Sequence, residues 1–315
     1  MSKPGVSTPL VGVFMPCYNY GEYIQEALDS LFAQTFQDFE LVIADDASPD
    51  PKTIKTLKNL KLPKGTVHFE KKNMGLNNIR NKYMAQFKTK YVISFDADDV
   101  LDPQFLEKCV NYLEKHPKKA SVAVWLQLFG TQEGIVKFDE KKTGFPDMLV
   151  SNNYLGSCLM RKAVFDDIGG YDSSKEVDGA EDYDFWLTAI ERGWSLGVLP
   201  EPLFHYRRTD SSLSARSAMP EMALIWRKKI IEKHIESYRK YLAEALLGFE
   251  LRASNAHAGY IETNARYKHM QRYVDDELIP KILAQGEEIE KLKKESVHHY
   301  IGMAKATVRK SLRRK

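Results

Sequence analysis

Apolar residues alternate between strand-like runs and helical spacing over the first 117 positions. Leu10-Val-Gly-Val-Phe-Met15 has strand length, and Pro16-Cys-Tyr18-Asn19-Tyr20-Gly21 is predicted to stop it and form a loop. Ile24, Ala27, Leu28 and Leu31 fall at i, i+3, i+4 and i+7, which predicts an amphipathic helix. Phe39 to Ala44 reads as a second strand, followed by a helix through Ile54 and Leu57 and a strand near Val67-His-Phe69. Another helix opens after Asn73 and runs through Tyr83, Met84 and Phe87. Tyr91 to Phe95 reads as a buried strand. Phe105, Leu106, Cys109, Val110 and Leu113 mark a helix ending near His116-Pro117. Such alternation predicts a Rossmann-like, mostly parallel central sheet flanked by helices.

Further along, Ser121 to Gln127 is a predicted strand. Phe129 to Val150 is expected to be irregular, with a hairpin near Glu133-Gly134. Asn153 to Met160 leads to a short helix that turns out at Gly169-Gly170-Tyr171-Asp172. A helix starts at Glu181 and continues to Arg192-Gly193. Trp194 to Leu199 is a strand that Pro200 and Pro202 bend toward Phe204-His205-Tyr206-Arg207-Arg208.

The 315 residues suit one large α/β domain with an appendage. A net charge of +3 does not point to a nucleic-acid partner, and none is expected. The charge is unevenly placed. From Glu221 to Lys315, 20 Lys and Arg outnumber 13 Asp and Glu, so residues 221–315 are read as a basic helical extension, broken at Pro280. Ile301, Ala304, Val308 and Leu312 lie at helical spacing in its basic end, which suits peripheral contact with anionic lipid, packing on the domain, or self-association. Cys17, Cys109 and Cys158 show no metal or disulfide spacing and read as core residues of a chain in the reducing cytoplasm, with the inner face of the membrane as the site of any peripheral contact. No run approaches the roughly 18 apolar residues of a membrane span.

Candidate chemistry gathers at strand ends. Asp96, Asp98 and Asp99 follow the Tyr91 strand, where open parallel sheets bind ligands. Crowded carboxylates raise one another's pKa unless a cation sits among them, and a hard ion such as Mg²⁺ or Mn²⁺ prefers such oxygens. The alternative is an acidic turn, with Asp102-Pro103 starting the next helix. Asp45, Asp46 and Asp50 form a second cluster. Glu181, Asp182 and Asp184 occupy the first turn of a helix, where the dipole favours acids, so capping alone would also account for them.

Taken in order, Pro16-x-Tyr18-Asn19, Asp45-Asp46-Ala-Ser48-Pro-Asp50, Asn73-x-Gly75-Leu-x-x-x-Arg80-Asn81, Asp96-Ala-Asp98-Asp99, Gly169-Gly170-Tyr171-Asp172 and Glu181-Asp182-Tyr-Asp184-Phe-Trp186 resemble the inverting family 2 glycosyltransferases of GT-A fold. The resemblance covers about residues 10–215, within a domain of residues 1–220. It implies a nucleotide-binding half over 10–117 and an acceptor-binding half over 118–220. It also implies hexosyl transfer from a nucleotide-sugar donor, UDP-linked by preference, to a glycan, lipid-linked or protein acceptor, in cell-surface polysaccharide or glycan synthesis. Position by position, Pro16, Tyr18, Asn19 and Asp46 would hold the base, and Asn73, Gly75 and Arg80 would lie by the base and diphosphate. Glu181 joins this donor-binding set. Asp98 would contact Mn²⁺ or Mg²⁺ directly and Asp96 the ribose or a metal-bound water, both in the metal set, with Asp99 able to replace Asp98. His205 lies where some members place a third ligand, although a His between Phe204 and Tyr206 also suits a packed strand. Asp182 would be the general base. Ala47 departs from the usual Gly, a modest change if its φ is negative. A nucleotidyltransferase is the second reading, against which the Pro16–Gly21 loop lacks a basic, Gly-rich phosphate cradle. A catalytically dead nucleotide-sugar-binding scaffold is the third, against which Asp96, Asp98 and Asp182 are all retained.

Overall fold

The computed structural model describes residues 8–209 and 220–272. The first half follows the alternation: β1 (Val11–Cys17), α1 (Ile24–Phe32), β2 (Phe39–Asp45), α2 (Pro51–Asn59), β3 (Thr66–Phe69), α3 (Leu76–Met84), β4 (Tyr91–Ser94), β5 (Val100–Leu101) and α4 (Phe105–Lys115). The second half holds β6 (Lys119–Gly130), β7 (Gly134–Val136), α5 (Asp147–Val150), β8 (Leu159–Arg161), α6 (Lys162–Ile168), α7 (Glu181–Glu191) and β9 (Ser195–Arg208). Then come α8 (Pro220–Lys233), α9 (Ile235–Lys240) and α10 (Leu242–Arg272).

The sheet order is β3-β2-β1-β4-β8-β6-β9-β5, with β7 paired to β6. β1, β2, β3 and β4 pair in parallel. β8 runs antiparallel to both β4 and β6, while β6 and β9 are again parallel. Parallel pairing is thus interrupted where the α/β alternation of the sequence stops. The order reverses at β1, because β2 and β4 lie on its opposite sides, and a crevice opens at the strand ends there.

The periodic faces are buried as expected. Ile24, Ala27, Leu28 and Leu31 of α1 are all in the core, as are Phe105, Leu106, Cys109, Val110 and Leu113 of α4. The cysteines are free and buried. Phe204 meets Phe95 and Phe105 edge-on at centroid distances of 6.2 and 6.0 Å, fixing the end of β4 against β9.

Local backbone corrects the sequence reading in several places. Pro16 does not stop β1, which pairs with β2 through Cys17. Beyond Phe14 the strand has lost β4 as a neighbour, so a missing N–H on that side breaks no ladder. Pro200 and Pro202 mark an irregularity where the sequence predicts a bend: β9 runs on to Arg208, but Leu199 pairs with Val124 and Phe204 with Leu126, so Pro200 to Leu203 have no partners on β6. Ala47 has φ +58°, so its departure from the usual Gly is not the modest change that a negative φ would make it. The predicted hairpin is present, with Leu128 opposite Gly134.

The described residues through Gly248 form one compact unit, and those from Phe249 to Arg272 fall outside it. The compositional boundary at residue 220 therefore falls inside the first unit. Ile230, Tyr238 and Ala245 are buried there, and the Tyr238 hydroxyl donates to the Leu149 carbonyl at 2.8 Å. No described helix is long and apolar enough to cross a membrane. The break at Pro280 and the basic stretch from Met303, with the spacing of Ile301, Ala304, Val308 and Leu312, lie outside the described residues.

A left-handed Ala places Cβ against its own carbonyl, which a glycine avoids. Ala47→Gly is expected to stabilise the chain by about 1 kcal/mol and raise Tm by roughly 2–4 °C. Differential scanning calorimetry would show it, and a lowered Tm would contradict the strain.

Candidate functional site

A cleft of ≈ 640 Å³ opens at the carboxyl ends of β1, β2 and β4. Pro16, Tyr18, Asp46, Asn73, Gly75, Arg80, Asp96, Asp98, Glu181 and Asp182 all line it. The structure thus gathers most of the sequence-predicted residues, drawn from segments up to 166 positions apart in the case of Pro16 and Asp182. A shallower hollow of ≈ 520 Å³ lies over Pro49 to Asn59 and contains no carboxylate.

One wall is a backbone cradle around Asp46. Its carboxylate accepts the Met74 N–H at 2.7 Å and the Gly75 N–H at 2.9 Å, and its carbonyl accepts the Asn73 amide at 3.0 Å. Asp46 therefore pins the Asn73–Gly75 turn while facing the cleft, and a carboxylate has spare lone pairs for a ligand. Asn19 is placed differently. It is not among the lining residues described. Its amide N–H donates to Ser48 Oγ at 2.9 Å and its side chain accepts the Asp50 N–H at 3.3 Å. It ties the two loops together, and its φ of 62° suits an Asn.

Arg80 is the hub. Nε donates to Ser94 Oγ at 3.0 Å, Nη1 to Glu181 Oε1 at 2.9 Å, and Nη2 to Asp96 Oδ1 at 3.1 Å. Burial disfavours its charge, but Asp96 and Glu181 more than offset that and hold its pKa above the ordinary value. Arg80 so joins α3, the end of β4 and the start of α7.

Beyond Asp96, burial first and the Asp96 charge second push the Asp98 carboxyl up to about 7. Asp98 lines the cleft. Asp99 turns into the wall instead: Oδ1 accepts the Arg207 N–H at 2.9 Å, and Oδ2 is buried without a partner. Burial, then Asp98 and Asp96, raise its pKa well above the usual range. His205 pairs in register with Val100 and Gln127 and is not among the lining residues described, whereas Tyr206 and Arg207 are. Among the described residues, no three His, Cys, Asp or Glu side chains form a metal cage. The available donors fit a cation that takes one or two carboxylates and completes its shell with water and substrate phosphate, as Mg²⁺ does. Asp98 would supply the first, and Asp96, already paired with Arg80, the second.

Asp182 faces the same cleft from the first turn of α7. Oδ1 accepts the Tyr183 N–H at 2.7 Å and Oδ2 accepts the Asn152 amide at 3.2 Å. Glu181 accepts the Gly179 N–H at 2.9 Å, so these acids do part of the local capping work as well. The helix dipole would lower the Asp182 pKa, yet burial and then the Glu181 charge win and push it up to about 7. Gly156 makes room: a Cβ there would lie 2.9 Å from Asp182 Oδ2. Sequence reading missed Gly156, Ser157, Tyr154, Leu155, Tyr206 and Arg207 of the lining. Only the Tyr206-Arg207-Arg208 run carried a visible signal.

Residues 12–169 match the model of Glycosyl transferase family 2. An "uncharacterized glycosyltransferase" of Haemophilus influenzae is 30% identical over 214 residues, 63% of this chain and 65% of the relative. The "putative glycosyltransferase EpsE" of Bacillus subtilis is 28% identical over 230 residues, 67% of this chain and 77% of the relative. The fold is similar to that of Staphylococcus aureus TarS 1-349 in complex with UDP-GlcNAc, with TM-score 0.54 and 18% identity over 73% of each chain. It is also similar to the mannosyltransferase PcManGT of Pyrobaculum calidifontis in complex with GDP-Man and Mn²⁺, with TM-score 0.53 and 17% identity over 89% of this chain and 88% of the other.

The raised Asp182 pKa has a stability consequence. Unfolded, the group titrates near about 3.9. Folded, it holds its proton to about 7, so its contribution to stability is lost as pH rises between those values. Asp182→Asn cannot ionise and is expected to raise Tm at pH of about 8 more than at about 4.5. Equal shifts in thermal melts at both pH values would contradict the assignment.

Proposed function

The chain belongs to glycosyl transferase family 2, and from that membership we propose that it moves a sugar from a nucleoside diphosphate donor to an acceptor hydroxyl, with inversion at the anomeric carbon. One observation carries this reading: Asp98 and Asp182, each raised to about 7, line a single cleft whose far wall is the Asp46 cradle. The base of the donor is assigned to the wall formed by Pro16, Tyr18 and Asp46, and Asn73, Gly75 and Arg80 lie beside the base and diphosphate. Asn19 acts by holding that loop.

Asp182 is the proposed general base. Its Oδ2 takes the proton from the acceptor hydroxyl as that oxygen attacks the anomeric carbon. The bond from that carbon to the diphosphate oxygen breaks on the opposite side, and the nucleoside diphosphate leaves with the bonding pair. A pKa near neutrality suits a base that must be free in one state and protonated in the next. A divalent cation, Mn²⁺ or Mg²⁺, held by Asp98 with Asp96, would supply charge to offset the departing diphosphate. Asp99, as a replacement for Asp98, and His205, as a third ligand, rest on the family resemblance alone.

UDP is the favoured donor nucleotide. The acceptor is a glycan, lipid-linked intermediate or protein hydroxyl, in the assembly of surface polysaccharide or other glycans. Peripheral contact with the inner face of the membrane rests on the basic residues from Met303 alone. Nothing in the cleft favours a nucleotidyltransferase.

Asp182→Asn is expected to keep nucleotide binding and lose transfer by about 10²–10⁴-fold. Full turnover in this variant, measured as nucleoside diphosphate release, would reject the base. EDTA is expected to abolish turnover and Mn²⁺ or Mg²⁺ to restore it; unchanged turnover in chelator would remove the metal from the scheme.

A further inference from the structure

Behind the first turn of α7 lies a charge cluster that the proposed reaction does not use, buried at Asp184 and His234 and partly exposed at Lys233. The Asp184 side chain is only 3% exposed. Its Oδ2 accepts from Lys233 Nζ at 2.7 Å and its Oδ1 lies 3.1 Å from His234 Nε2. The other His234 nitrogen, Nδ1, lies 2.9 Å from Glu191 Oε2, at the opposite end of the same helix. His234 itself is 1% exposed in its side chain and faces a carboxylate with each ring nitrogen. Lys233 also reaches Asp172 Oδ2 at 3.0 Å.

Asp172 belongs to a turn that is fixed elsewhere. Asn77 of α3 donates to its carbonyl at 3.1 Å, and Asn81 of α3 donates to the Tyr171 carbonyl at 2.8 Å. The same helix, α3, carries Arg80, which grips Glu181. The start of α7 is therefore held on the cleft side by Arg80 and on the rear by Lys233 and His234. A buried charge cluster is a costly way to gain stability, because desolvation offsets most of the Coulomb attraction. It does fix the rotation and height of a helix, since each carboxylate has one place to be satisfied. Asp182 lies between the two grips.

We propose that Lys233 and His234 are positioning residues: through Asp184 they fix the first turn of α7 and hence the place of the Asp182 carboxylate in the cleft. The proposal rests on Asp182 being the base. The segment after Pro220 is then part of the machinery for transfer. Among the described residues, the donor walls on β1, β2 and β4 make no hydrogen bond or ion pair with Lys233 or His234, and α3 reaches the Tyr171–Asp172 turn through its own Asn77 and Asn81, so nucleotide affinity and turnover separate when the rear grip is lost.

The test compares Lys233→Met, Lys233→Arg, His234→Gln and Asp182→Asn with the full-length chain. Binding of UDP and GDP in the presence of Mn²⁺ is measured by calorimetry. Donor turnover is measured as nucleoside diphosphate release, below every melting transition. Lys233→Met is expected to bind nucleotide within about twofold of the parent and to lose about 100-fold in kcat, the scale of a displacement of about 1 Å at the reacting groups. His234→Gln should lose kcat in the same direction, and Lys233→Arg should restore most of it. Parent-like kcat in Lys233→Met overturns the proposal. Parallel loss of nucleotide binding and kcat also overturns it, because that is what a purely structural role would give. If Asp182→Asn turns over normally, the base assignment fails by itself, whatever the Lys233 variants do.

Discussion

The cleft depends on one cation. Arg80 is buried, and its guanidinium spends its donors on Ser94, Asp96 and Glu181. Through them it joins three elements that the chain order keeps apart: α3, the end of β4, and the start of α7. Removing one member of such a buried set costs about 3–5 kcal/mol, since the remaining charges stay desolvated. The Arg80 cation has a second effect. It partly neutralises Asp96, leaving Asp98 as the cleft carboxylate that burial and repulsion hold protonated up to about 7. One ion bridge thus ties the walls of the cleft together and offsets part of its negative charge.

The same logic assigns different work to neighbouring acids. Asp96 is paired, Asp98 faces the cleft, and Asp99 takes a backbone amide within the wall. Likewise Glu181 is the structural partner of Arg80, Asp182 projects into the cleft, and Asp184 points back toward Lys233 and His234. Three acids in one helical turn cannot share a direction, because successive side chains are rotated by about 100°. Only the middle acid faces the cleft without an ion-pair partner of its own, and burial then gives it a pKa suited to proton transfer.

Much of this fold was legible because burial has a period. The faces of α1 and α4 follow from spacing alone, and strand ends with clustered acids mark where a parallel sheet binds. The failures have local causes. Pro16 reads as a breaker, but its position in β1 has no β4 neighbour to lose. Pro200 and Pro202 read as a bend, and the register slips at that point, with Pro200 to Leu203 of β9 lacking β6 partners. The positive φ of Ala47 is set by the Asp45–Ser48 turn and leaves no mark in residue type, because an alanine there hides it. Site residues named by the family resemblance do converge, but which neighbour each one grips could not be read. Arg80 and Glu181 are 101 positions apart, and Lys233 and Asp184 are 49 apart. Asn19 and Asp99 show the limit most plainly. Their residue types suit a ligand, and only the fold shows that Asn19 bonds Ser48 and Asp50 while Asp99 accepts the Arg207 N–H.

The proposed reading, with Asp182 as the lone base, is a single displacement with no covalent sugar intermediate on the protein. The stereochemistry of the product therefore tests the arrangement most directly. Proton NMR of the glycoside formed from an α-linked nucleotide sugar should show a β linkage in the first product detected. An α linkage from that donor would contradict back-side displacement with Asp182 as the base.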